Sequence, residues 1–128
     1  MPSRANGPCA SFLTYAEVIA LAKAAAEGAD AQTAVIASVD FSHELAAPEA
    51  AAKDGETLAA LAGMDSALVM RYGNEHMDSP PSIVFAMEYA RLMGADEFVL
   101  RENTNSGVLA RTLSPPVTSY IEGYFTSP

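Results

Sequence analysis

Thr33-Ala34-Val35-Ile36-Ala37-Ser38-Val39-Asp40-Phe41-Ser42-His43 is the stretch on which the fold turns. Seven nearly continuous small and β-branched residues, without a charge, suit a strand buried on both faces of a parallel sheet. The residues that follow, Asp40-Phe41-Ser42-His43-Glu44, are abruptly polar. In open α/β sheets ligands bind beyond the carboxyl ends of the strands, which is where this polar segment would fall.

Helical patterns lie on both sides of that strand. Upstream, Val18, Ile19, Leu21, Ala22, Ala25 and Ala26 recur at helical spacing, with Thr14 and Glu17 as a capping box and Gly28 as the stop. Downstream, residues 47–62 form an alanine-rich helical stretch with Pro48 near its start, Gly63 at its end, and Gly55 as an expected break. A short helix is expected over residues 65–70, then a Gly- and Pro-containing loop over 71–81. A further helix opens at Ser82 and closes at Gly94. Phe98-Val99-Leu100 and Tyr120 to Phe125 read as two more strands, joined by a polar connection over residues 103–116. This order predicts an α/β fold: a small, mostly parallel sheet flanked by helices, in one domain over residues 14–128 after an irregular segment 1–13.

Composition excludes several functions. Seven basic against sixteen acidic residues give a net charge of −9, which repels polyphosphate backbones and anionic membrane surfaces. Nucleic acid and membrane are therefore not expected partners, and no apolar run reaches the ~18 residues of a membrane span. The single Cys9 cannot form an internal disulfide, fits a cytoplasmic setting, and is expected to have no catalytic role. No nucleophile elbow, phosphate-binding loop or H-E-x-x-H helix occurs.

Two polar segments carry the chemistry that remains. Asp40 and His43, three apart after the apolar run, could share one crevice, the carboxylate orienting the imidazole. The plainer reading of the same spacing makes Asp40 a cap and His43 a partly exposed polar residue. The second segment sets Glu75, His76 and Asp78 just before a helix. Together the two segments offer two histidines and several carboxylates, a donor set suited to iron or zinc. The plainer alternative is a solvated loop whose Asp or Ser caps the helix.

Taken in order, these pieces resemble the Memo family, also known as protein B of the AmmeMemoRadiSam system. Ile36 to His43 is similar to the family's SSDFSH segment. Asp54, Asp65, Pro81-Ser82-Ile83, Leu92-Met93-Gly94-Ala95, Asn105-Ser106-Gly107 and Tyr120 to Tyr124 follow in family order. The resemblance covers about residues 31–125, equivalent to the C-terminal half of a family member. It implies a fold related to the class III (LigB-like) extradiol dioxygenases and a metal-associated, redox-capable protein, with iron first and copper or zinc next as the metal. It matches Asp40 and His43 to the family's aspartate and histidine, as catalytic residues. It also makes His43 a metal ligand, beside Asp78 or His76 at the place of the family's cysteine. The family's N-terminal histidines have no counterpart. The resemblance therefore also implies an alternative, a non-catalytic interaction module that keeps the fold without a complete metal site. Its partner would be a small molecule or a protein, a second copy of the chain, or the missing N-terminal half.

Overall fold

A computed structural model of the chain describes residues 13–112 and 114–128. The lead-in segment up to residue 12, with Cys9, lies outside the described residues. The elements run α1 (Tyr15–Glu27), β1 (Phe41–Leu45), α2 (Ala47–Ala62), α3 (Ser66–Met70), α4 (Pro80–Leu92), β2 (Glu97–Asn105), α5 (Ser106–Ala110) and β3 (Val117–Thr126). The α/β class expected from the sequence is what the chain adopts.

Local signals place most of these elements. Thr14 accepts from the Glu17 backbone N–H while the Glu17 carboxylate accepts from the Thr14 N–H, a complete capping box for α1. Helix α2 runs unbroken through Gly55, where an added Cβ would meet nothing within 4 Å. An isolated helical glycine costs only ~1 kcal/mol, less than packing returns, so the expected break does not occur. Helix α4 starts at Pro80, two residues before Ser82, because proline at the first helical positions forfeits only N–H groups that have no partner there anyway. Part of the connection expected over 103–116 is regular: β2 reaches Asn105, whose side chain accepts from Val108 N–H at 2.9 Å and starts α5.

The sheet departs from expectation. Its order is β1-β3-β2, and β3 is antiparallel to both neighbours. The helices between β1 and β2 act as a crossover and leave those two strands pointing the same way, as a βαβ unit should. The return through α5 then brings β3 back between them, so every ladder is antiparallel. Gly123 makes the close pairing possible, since a Cβ there would lie 2.5 Å from the Val99 carbonyl oxygen and press into the Phe98 ring. Strand β2 bulges between Leu100 and Glu102 in its ladder with β3 and carries the charged Arg101 and Glu102, features that discourage pairing at its outer edge.

The decisive run is also not in a ladder. Pairing begins at Phe41, opposite Ser119, whereas residues 33–39 are extended without a strand partner. Their exposure alternates along the chain, with Val35, Ala37 and Val39 turned partly inward and Ile36 86% exposed. The local conformation is therefore strand-like, as its β-branched residues favour, but no neighbouring strand is at hand to complete it. The core lies between the helices and the sheet, around Val18, Phe41, Leu61, Val69, Met77, Val84 and Met87, and Ala37 and Val39 pack against it.

Candidate functional site

Both polar segments singled out by the sequence come together through their backbones. The loop after α3 runs antiparallel to β1: Ser42 N–H donates to the His76 carbonyl at 2.8 Å and His43 N–H to that of Asn74 at 3.1 Å. Asp78 N–H donates to the Asp40 carbonyl at 2.9 Å, and Asp40 N–H donates to Asp78 Oδ1 at 3.1 Å. Asp40 and Asp78 thus clasp one another just before β1, through the Asp40 main chain and both the N–H and the carboxylate of Asp78.

Their side chains do not converge. His76 is buried, turned toward α2, where Nε2 donates to Glu56 Oε1 at 2.7 Å, and its ring stacks on Tyr72 with centroids 3.7 Å apart. That hydrogen bond, helped by Lys53, holds the Glu56 carboxyl below its ordinary range. Burial, reinforced by Glu56 and Asp65, raises the Tyr72 phenol. Nδ1 of His76 is buried without a partner. His43 instead sits beside Thr118, Nδ1 to Oγ1 3.5 Å, with Glu44 3.9 Å from Nε2 and the ring about one-third exposed. Asp40 makes no side-chain hydrogen bond to His43 among the described residues. Asp78 is exposed.

His43 is held by unusual backbone. Ser42 and Glu44, its two neighbours, have φ of 24° and 57°, in the left-handed region that non-glycine residues rarely occupy. Two such residues flanking one imidazole, at the irregularity of the β1–β3 ladder between Phe41 and Leu45, form a locally strained bulge, of a kind that clusters at functional sites.

Among the described residues a metal finds no cage. No group of three or more His, Cys, Asp and Glu side chains among the described residues could hold an ion. Nε2 of His76 is committed to Glu56, and one Asp78 oxygen to the Asp40 backbone. His43, His76 and Asp78 therefore do not by themselves fit the metal that the sequence resemblance implies.

Sequence reasoning missed the most completely satisfied polar group. Asp54 is 2% exposed. Its Oδ1 accepts from Ser42 Oγ at 2.5 Å and from Ser119 Oγ at 2.7 Å, and its Oδ2 accepts from Asn103 Nδ2 at 2.8 Å. The carboxylate ties α2 to all three strands. Its signal was present in the spacing: Ala50, Asp54, Thr57 and Leu61 form the buried stripe of α2, so an acid stands at a core position.

An apolar concave feature lies elsewhere. A groove of about 610 Å³ is lined by Val35 to Val39 and by Ile121, Gly123, Tyr124 and Phe125 of β3, with Tyr89 and Ala90 of α4 and Met93 just after it. Its size is that of a small-molecule or peptide site, and its lining is largely apolar. Tyr89 is 7% exposed and its hydroxyl is buried without a partner. A second hollow of about 310 Å³, bounded by Leu13, Leu21, Pro81 and Phe85, flanks the opposite side of the same run.

No protein-family model, curated protein or solved structure matches the chain. Fold and site define an α/β chain with a three-stranded antiparallel sheet. No described helix is long and apolar enough to cross a membrane.

Proposed function

We propose that this chain is an interaction module, Memo-like in the order of its sequence motifs, that works by docking another molecule rather than by carrying a complete catalytic centre. The reading rests on one observation. Residues 34–39 have no backbone or side-chain hydrogen bond to any other described residue, and Ile36 stands open on a charge-free run. Unpaired main-chain groups beside exposed apolar side chains are the usual features of a surface that another polypeptide covers. Metal content by ICP-MS, on anaerobically purified protein with His43→Ala alongside, tests the reading. Protein without bound metal, unchanged by the substitution, is the expected result. Near-stoichiometric metal lost in His43→Ala overturns it.

The strained backbone on either side of His43 favours a second reading. There the chain is a metal-associated protein related to extradiol dioxygenases, with Asp40 and His43 at the reacting centre. Iron is the first candidate, then copper or zinc, and His43 would share the ion with Asp78 or His76 and with donors from another chain. The same measurement decides between the two.

A further inference from the structure

We infer that the groove between residues 35–39 and β3 accepts an extended segment of another polypeptide, apolar in its middle and basic at its ends, as an inserted strand. The inference rests on the docking reading above and names its partner.

Two strand edges face each other across the groove. One is the run 34–39, alternating in exposure and without hydrogen bonds to any other described residue. The other belongs to β3, whose residues from Ile121 onward pair only with β2, since β1 engages no further than Ser119. The run leads directly into β1, which is antiparallel to β3, so the two edges run in opposite directions. A single strand laid between them would be parallel to one and antiparallel to the other, and could hydrogen-bond to both.

The contrast with β2 points the same way. Strand β2 carries Arg101 and Glu102 along its outer edge, whereas the run is uncharged, so the chain guards one edge and leaves the other open.

Charge selects the occupant. No lysine or arginine lines the groove. Asp40 stands between two lining residues, Val39 and Phe41, at one end. Asp96 and Glu97, both exposed, stand between the lining residues Ala95 and Phe98. A second copy offering its own run would bring Asp30 and Asp40 onto these acids, on a chain of net charge −9. A foreign segment with lysine or arginine at its ends is complementary instead.

The test uses two short amidated peptides of alternating valine and threonine, one ended in lysines and the other in glutamates. Binding to the full chain is read by calorimetry, and amide exchange is followed by NMR. Ile36→Pro and Ala37→Pro each remove an N–H that has no partner in the free protein, so neither costs a native hydrogen bond. Along an extended run these N–H groups point to opposite sides, and only one can face the groove. The expected result is one-to-one binding of the lysine peptide, about tenfold or more tighter than the glutamate peptide. One proline variant alone should lose about tenfold in affinity, and the amides of Ile121 to Phe125 should gain protection. Equal loss in both proline variants, or equal affinity for both peptides, overturns strand insertion while leaving the docking reading intact. So does a homodimer in sedimentation that Ile36→Asp abolishes, which would make a second copy the occupant. Absence of binding by either peptide overturns the inference alone, because the docking reading stands or falls on metal content.

Discussion

Removing the Asp54 carboxylate should cost about 2–4 kcal/mol, and the contacts say where that cost arises. In Asp54→Ala the Ser42 hydroxyl still has the Ala50 carbonyl at 3.1 Å, and the Asn103 amide still has the Tyr120 carbonyl at 3.2 Å. Each loosens, for about 0.5–1 kcal/mol. The Ser119 hydroxyl is different. It is 1% exposed, donates only to Asp54 Oδ1, and would be left buried and unsatisfied, at about 1–3 kcal/mol. Alanine is the better helix former and returns about half a kcal/mol. Urea unfolding at fixed pH measures the total, with a lower midpoint at unchanged slope as the signature of lost stability. A double-mutant cycle with Ser119→Ala then isolates the cause. Ser119→Ala should destabilise the wild-type chain, yet be close to neutral in the Asp54→Ala background, where it deletes the orphaned hydroxyl. A coupling of about 1.5 kcal/mol or more is expected, and additivity within about 0.5 kcal/mol would refute the reasoning.

Gly123→Ala should lose about 1–3 kcal/mol or more through overpacking against Phe98 and the Val99 carbonyl, read as a drop in urea midpoint, whereas Gly55→Ala, in open space, should be neutral or stabilising. Because the His76 hydrogen bond holds the Glu56 carboxyl down, the unfolded chain takes up a proton there before the folded chain does as pH falls. This contribution is complete above the ordinary glutamate range and is lost as pH falls through the depressed folded value. His76→Phe keeps a ring against Tyr72 but no donor, so it should flatten the acid limb of stability against pH, and an unchanged limb would refute the assignment. His43→Ala should leave the urea midpoint nearly unchanged, since the ring is about one-third exposed and makes only a 3.5 Å contact with Thr118.

Local signals were the most legible part of the fold. The Thr14 and Glu17 capping box and the Gly63 end of α2 are short-range chemistry, complete within a few residues, whereas Pro80 and Pro81 read as loop and in fact open α4. Strand pairing was less legible, because it depends on residues far apart in the chain. The apolar run looks like a doubly buried strand whether or not a neighbour exists, and nothing within it reports that pairing begins only at Phe41. The two polar segments stood out in the sequence, and the backbone brings them together. Where each side chain points was not legible. His76 turns toward Glu56, twenty residues upstream and two positions beyond Asp54 on α2, while His43 turns toward Thr118. The Asp54 hub could have been found by asking why an acid occupies the core stripe of α2.

The position of β3 has a consequence for how the chain is made. It is the central strand, yet the last in sequence, and each of the other strands pairs only through it. A nascent chain that has grown only as far as residue 116 can form its helices but none of its sheet. Until β3 arrives, β2 waits with its polar backbone open on both sides, and β1 is held on one side only, by the loop after α3. Folding therefore ends on contacts that join Phe41 to Ser119 across most of the chain, a separation that slows closure and lengthens exposure to aggregation. Synthesis rate over the codons of β3, and the chaperones that meet the emerging chain, should influence its yield more than any change within the helices.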